Sequence, residues 1–328
     1  LNDFRVIDIE FQDLHDEYNA ILVCWSDEPR CTSVAQRVFR KAFKKCLMLR
    51  DCTLSSDAGP GSETTLRKLF PKLKSLSLPR DDPSLLIANL NGIAKADGEQ
   101  LNILVDYSSM PRLWYAAILR WAQTFAGEKR VELDLAYTIS DYISEQNFRP
   151  LELEDIPAIP GCDGVLDDSN VPILGIFGLG FDGIAASEVL EELEPSTVYA
   201  YLADPVPFPE YAERARRENQ EILNAQKLLL PLPLCSIRTV YGYLSELAVL
   251  SKSTHQVKLI PMGPKPHVVA AILVALRFED VACLHVAGRR EKPESGEPTD
   301  KAIVTRVQIR KPSEEVQQRM LRYGRAVI

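Results

Sequence analysis

The hydrophobic and polar positions of this chain alternate in blocks: a short apolar run, a few turn-forming residues, then a longer stretch with apolar residues at helical spacing. "NAILVCWS" (19–26) has the continuous apolar character of a strand buried on both faces. The turn "DEPRCTS" follows, and "VAQRVFRKAFKK" (34–45) has helical spacing. "CLMLRD" (46–51) predicts the next strand and "LSSDAGPGSETT" (54–65) a turn-rich loop. "DDPSLLIANLNGIAKADGEQ" (81–100) predicts a helix with an Asp/Ser start and a Gly stop. The strand "LNILVD" (101–106), the loop "YSSMPR", the helix "RLWYAAILRWAQTFAG" (112–127) and the strand "VELDLAYTI" (131–139) complete a unit.

The second half runs in the same order. "VPILGIFG" (171–178) predicts a strand, "LGFDG" a turn, "IAASEVLEELEP" (184–195) a helix and "STVYAYLADP" (196–205) a strand. After a Pro- and charge-rich insertion come the helix 237–253, the strand "QVKLIP" (256–261), the loop "MGPKPH", the helix 268–278 and the strand "DVACLHVAG" (280–288). Equivalent strands begin at Ala20 and Pro172, Cys46 and Thr197, Asn102 and Val257, and Val131 and Val281, at nearly constant spacing. Strands separated by helices imply crossovers and parallel pairing. The expected fold is therefore α/β, with two Rossmann-like, mostly parallel sheet units related by internal duplication. The first unit is expected at 1–146, a Pro-, Asp- and Gly-rich linker at 147–171, and the second unit at 172–328. The second unit carries an inserted helical segment near 205–235, in which "YAERARRENQEILNAQ" (211–226) reads as an exposed helix and a surface for a protein partner.

Composition narrows the function classes. With 328 residues, 46% of them hydrophobic, the chain can supply a core for each unit. A net charge of -8 argues against binding long nucleic acids or anionic membranes. Arg37, Arg40, Lys41, Lys44 and Lys45 form a local basic cluster, expected as the solvated face of the helix 34–45. "HVVAAILVAL" from His267 is too short to span a membrane, and the first residues do not resemble a secretory signal. The seven cysteines and four histidines lack metal-ligand spacing, so reduced thiols, no metal, no cofactor and a cytoplasmic location are expected.

Ligands of open parallel sheets bind beyond the carboxyl ends of the strands, where helix amino termini present unpaired amides. "DYSSMPR" (106–112) offers Ser108, Ser109 and Arg112 there, and "PMGPKPH" (261–267) offers Gly263 and Lys265. A cation at the same place in both halves predicts a shared anion site, with Arg112 and Lys265 as its contacts. "GLGFDG" (178–183) has G-x-G-x-x-G spacing and adds Gly180 and Gly183, with Asp204 about 20 residues beyond the last glycine, where a ribose-binding acid stands. A tight-turn role for these glycines is preferred over dinucleotide binding, because Asp182 would repel phosphate. Asp106, Asp182 and His267 are the candidate catalytic residues, and Asp27 and Glu28 could meet Asp106 across the first sheet edge. Helix capping and turn formation account for each carboxylate singly, and a neutral hydrogen-bonding role for His267.

"LNILVDYSSMPRLWYAAILRW" and "VKLIPMGPKPHVVAAILVAL", each a strand, a short loop ending in a cation and a helix, resemble the CRISPR-associated Rossmann-fold (CARF) domains of bacterial defence systems. The resemblance implies paired domains that sense an oligonucleotide second messenger in the cleft between them, in some members with cleavage of that ligand. The leading expectation is thus a nucleotide-binding sensor or regulatory component. The alternatives are a nucleotide- or nucleoside-processing enzyme of glycosidase or transferase type, and an interaction scaffold.

Overall fold

Runs such as Ala20–Cys24 and Ile103–Val105 are apolar on both faces, and strands of that kind are stable only between two helical layers. The computed structural model describes residues 3–53, 61–96, 98–126, 128–142, 148–164, 170–289 and 296–310. Residues 54–60 of the turn-rich loop and 165–169 of the expected linker lie outside that set. The first part of the chain forms β1 (Asp3–Ile9), β2 (Glu17–Trp25), α1 (Ser33–Val38), β3 (Ala42–Asp51), α2 (Gly61–Leu69) and β4 (Leu73–Leu78). It continues with α3 (Ser84–Ala96), β5 (Gln100–Asp106), α4 (Arg112–Phe125) and β6 (Arg130–Ser140). Next come β7 (Glu152–Asp155), β8 (Ala158–Asp163), β9 (Ile173–Leu179), α5 (Gly183–Leu193), β10 (Thr197–Ala203), α6 (Pro209–Glu218), α7 (Gln220–Ala225) and β11 (Leu228–Leu232). The chain ends its described course with α8 (Ile237–Ser251), β12 (Gln256–Pro261), α9 (Lys265–Arg277), β13 (Val281–Leu284), β14 (Ala287–Arg289) and β15 (Pro298–Arg310).

The two large sheets repeat one strand order. The first reads β1-β15-β6-β5-β2-β3-β4 and the second β11-β10-β9-β12-β13-β8. The five strands β4-β3-β2-β5-β6 and the five strands β11-β10-β9-β12-β13 are parallel throughout and follow the 3-2-1-4-5 order of a doubly wound sheet. Each set is extended by antiparallel pairing beyond its last strand, through β15 and β1 in one sheet and β8 in the other. A small third sheet pairs β7 with β14.

Helices α3, α4, α8 and α9 form a single layer between the sheets, and one core joins Leu22, Ile103 and Leu133 of the first sheet to Ile176, Val257 and Leu259 of the second. In that layer α4 touches α9 and β8, while α8 and α9 touch β1, so the edge strands of each sheet reach over the helices of the other unit. Pro266 to Leu276 of α9 are all buried, as expected of a helix apolar on every side. Each Val, Ile or Leu buried there contributes about 1.5–3 kcal/mol. Outer cores lie beneath α1 and α2 on one side and α5 to α7 on the other. Among the described residues no helix is long and apolar enough to cross a membrane.

Four expectations change. The helix expected over 34–45 ends at Val38, and β3 begins at Ala42, because the backbone from Ala42 onward pairs with β2 from Glu17. The basic cluster is therefore split: Arg37 donates to the Asp300 carbonyl and Lys41 to the Leu14 carbonyl, and Lys44 and Lys45 lie on a strand. The segment 205–235 is helical as expected, forming α6 and α7, but it is not a purely exposed insertion, since it also supplies β11 of the second sheet and buries Ala212, Arg214, Asn219 and Ile222. Finally, β15, assigned by position to the second unit, pairs with β6 and β1 and completes the first sheet, and β8, inside the expected linker, pairs with β13.

Candidate functional site

In both sheets the strand order turns back between the first and fourth strands of the unit, β2 with β5 and β9 with β12, the place where open α/β sheets bind ligands outside the carboxyl ends. The two switch points meet at one end of the molecule. Lys265, the first residue of α9, sends its Nζ to three carbonyls of the loop between β5 and α4: Ser108 at 2.7 Å, Met110 at 3.0 Å and Tyr107 at 3.4 Å. Burial lowers the pKa of this ammonium to about 8, although Glu28 opposes the shift. Lys265, expected to hold an external anion, is thus committed to the backbone of the other unit.

The serines of the same loop also turn inward. Ser108 N donates to Asp106 Oδ1 at 3.0 Å, and Ser108 Oγ accepts from Thr138 N at 2.9 Å. Ser109 Oγ donates to the Cys24 carbonyl at 3.0 Å. These bonds stitch β5 to β6 and β2, leaving neither serine as an open ligand contact. Asp106 is 2% exposed, and its Oδ2 has no hydrogen-bond partner. Burial raises its carboxyl to about 6, against the Ser108 bonds and the charges of Lys265 and Arg30. In the turn after β2, Arg30 Nε donates to Glu28 Oε2 at 2.5 Å and Arg30 Nη1 to the Tyr137 hydroxyl at 3.1 Å. Burial works against the Glu28 charge, but Arg30 and Lys265 outweigh it and hold that carboxyl below its ordinary value.

Arg112 has a different setting. It opens α4, whose N-cap, Pro111, supplies no side-chain cap. Its guanidinium donates to His285 Nδ1 at 3.5 Å and to the Tyr115 hydroxyl, and among the described residues it makes no ion pair. Burial and the charges of Arg112 and Arg80 lower the His285 pKa to about 4. Arg80 itself pairs with Asp51 at 3.0 Å. A positive neighbourhood thus stands between the units at the amino end of α4.

The glycines of the second unit serve packing. A Cβ at Gly180 would collide with the Met262 carbonyl, one at Gly183 with the Glu218 carbonyl, and one at Gly263 would lie 2.9 Å from the Leu179 carbonyl. The space a pyrophosphate would need is filled by the chain's own backbone. Asp182 Oδ1 accepts from Leu151 N at 3.0 Å, and Asp204 pairs with Arg216 at 2.6 Å, so the acid expected at a ribose is held by a cation. His267 is buried against Tyr201, donates through Nε2 to the Pro233 carbonyl, and has its pKa lowered to about 4 by burial. It is a core histidine.

No family model matches the chain, and no curated protein matches it. What the end of the molecule can do rests on its own residues. It brings together Asp106, Ser108, Ser109 and Lys265, sets Arg112 against His285 and Tyr115, and leaves Asp182, Gly183 and His267 in packing roles. Tyr137, Thr138, Arg80 and His285 were not singled out from the sequence, because each sits at the end of a strand or in a connector whose neighbours come from the other unit or a distant segment. A groove of about 460 Å³, lined by Ile87, Leu113, Ala116, Trp121 and Pro160, lies between α3, α4 and β8, apart from these groups.

Proposed function

We propose that the protein binds a nucleotide or similarly anionic small molecule at the end where its two switch points meet, as a sensor or regulatory component. The observation that carries this reading is Arg112: a guanidinium without an ion pair among the described residues, at an uncapped helix start, beside His285 and within the field of Arg80. A guanidinium in that setting suits a phosphate, which it can hold through two parallel bonds while the helix dipole adds attraction. Lys265 takes the role of joining the units in place of touching the ligand.

The test is calorimetric titration with ATP, GTP, cyclic AMP and cyclic oligoadenylates, with Arg112→Gln as the comparison. At least one of these ligands should bind, weakening with added salt and at least tenfold in the variant. Absence of binding across the set, or equal binding by the variant, overturns the proposal.

A second reading, a nucleotide-processing enzyme, is favoured by Asp106, whose carboxyl at about 6 lies near the range where a general acid or base works best. Product formed from a bound nucleotide by the wild type and absent with Asp106→Asn would select it over pure sensing.

A further inference from the structure

Trp25 Nε1, Asp106 Oδ2, Tyr107 Oη and Thr138 Oγ1 are buried without hydrogen-bond partners at the first switch point, and of these Trp25, Asp106 and Thr138 lie on the same face of the sheet. Asp106 is in register with Ala136 in the parallel β5–β6 ladder, and Thr138 stands two residues beyond Ala136, so the side chains of Asp106 and Thr138 point to one side. Leu104 and Ala136 on that side belong to the outer core beneath α1 and α2. Asp106 is 2% and Thr138 0% exposed, and neither Asp106 Oδ2 nor Thr138 Oγ1 has a hydrogen-bond partner. Ser108 fixes both: its N holds Asp106 Oδ1, and its Oγ holds Thr138 N. Buried polar atoms are almost always paired, so the two oxygens on one face, both of whose residues are anchored through Ser108, call for a group that pairs both.

The chemistry of that group is constrained. A carboxylate oxygen needs a donor, and a threonine hydroxyl can donate once its partner accepts. An ammonium cannot accept from Thr138, and a phosphate oxygen would meet the carboxylate as a like charge. A hydroxyl does both. We propose that Asp106 Oδ2 and Thr138 Oγ1 form a subsite for a sugar hydroxyl, so that the ligand of this end is a ribonucleoside derivative in preference to its deoxy counterpart. This deepens the nucleotide-binding reading and rests on it. It concerns a different set of side chains, since Arg30 and Lys265, and not Arg112, are the cations acting on Asp106.

Nucleosides carry no phosphate, so they separate this subsite from Arg112. The probes are adenosine, guanosine, cytidine and uridine with their 2′-deoxy and 3′-deoxy forms, followed by thermal shift and by ligand-observed NMR up to millimolar concentration. At least one ribonucleoside should bind, loss of one of its hydroxyls should weaken binding at least tenfold, and Asp106→Asn and Thr138→Val should each remove that discrimination while circular dichroism stays native. Both variants keep their bonds to Ser108, which uses Asp106 Oδ1 and the Thr138 amide. Equal binding of ribo and deoxy forms, no binding of any nucleoside, or discrimination that survives in both variants overturns the proposal, the last two pointing to ordered water as the partner of both atoms. Nucleotide binding that depends on Arg112 but ignores the sugar would sink the subsite alone. Sugar discrimination with a silent Arg112→Gln would sink the anion contact alone.

Discussion

Lys265 Nζ lies 2.7 Å from the Ser108 carbonyl oxygen, and this bond ties the start of α9 to the loop that leads from β5 into α4. The loop residues Tyr107 and Ser108 are buried, so the carbonyls they present need partners from the protein. One ammonium satisfies three of them, counting Met110. The cation that the repeat pattern marks as a ligand contact is therefore what holds the two switch points at one end, and any ligand that Arg112 recruits meets a loop already fixed in shape.

Replacing that ammonium should loosen the joint. Lys265→Met keeps the length of the side chain but leaves the three carbonyls without their donor. Hydrogen bonds to a charged group are the stronger kind, but the substitution also relieves the burial of the cation, so a net loss of about 1–3 kcal/mol is expected. Urea unfolding should show a lower midpoint, and amide exchange should quicken within residues 107–111. An unchanged midpoint together with unchanged exchange would contradict the joint.

Gly180 discriminates between a packing glycine and a phosphate-cradling one, because the second glycine of a dinucleotide loop is the one that lets backbone approach the pyrophosphate. There an added methyl group blocks the ligand and leaves the fold largely intact. Here the methyl group would collide with the Met262 carbonyl. Overpacking costs about 1–3 kcal/mol and more where the obstacle is backbone. Gly180→Ala should therefore lower the thermal midpoint by several degrees without any ligand present, while Glu188→Ala at an exposed position of α5 should not. A variant with wild-type stability would return Gly180 to the ligand.

How much of this was legible in the sequence differs by scale. The succession of strands and helices and the parallel pairing were readable because Ala20–Cys24, Ile103–Val105 and Leu174–Phe177 are buried on both faces and therefore apolar without alternation. The short edge strand β4 was not readable, since Lys74, Ser75 and Ser77 face outward and its Leu residues are too few to stand out. The helix expected over 34–45 failed because charged residues at helical spacing can equally line the exposed side of β3, and strand pairing with β2 decided between them. At the site, the repeat located the loops correctly but could not say what each cation faces. Arg112 and Lys265 occupy equivalent positions; one is turned toward His285 and the other into the carbonyls of the opposite unit, and that difference is set by contacts between the units.

Asp106 gives the stability of the protein an unusual dependence on pH. Its carboxyl ordinarily loses its proton near 3.8, and burial raises that to about 6 in the folded chain. Between those values the folded state holds a proton that the unfolded state has released, so stability contributed by this group falls as pH rises and stays low above 6, a cost of about 3 kcal/mol at neutral pH. His267 and His285 act in the opposite sense. Both are lowered from 6.5 to about 4, so the unfolded chain takes up protons first and stability falls as pH drops from 6.5 to 4. In the wild type the Asp106 proton offsets part of the histidine loss in the same interval. Asp106→Asn should remove the offset: the variant should be more stable than the wild type by about 1–3 kcal/mol at pH 7.5, because the amide avoids a buried charge but leaves a buried N–H pair to satisfy. Its advantage should shrink steadily on acidification and vanish near pH 4. Urea denaturation of both proteins at pH 7.5, 6, 5 and 4 measures this directly, and a variant that is no more stable at pH 7.5, or whose advantage is constant with pH, would show that Asp106 is not the buried titrating group the structure describes.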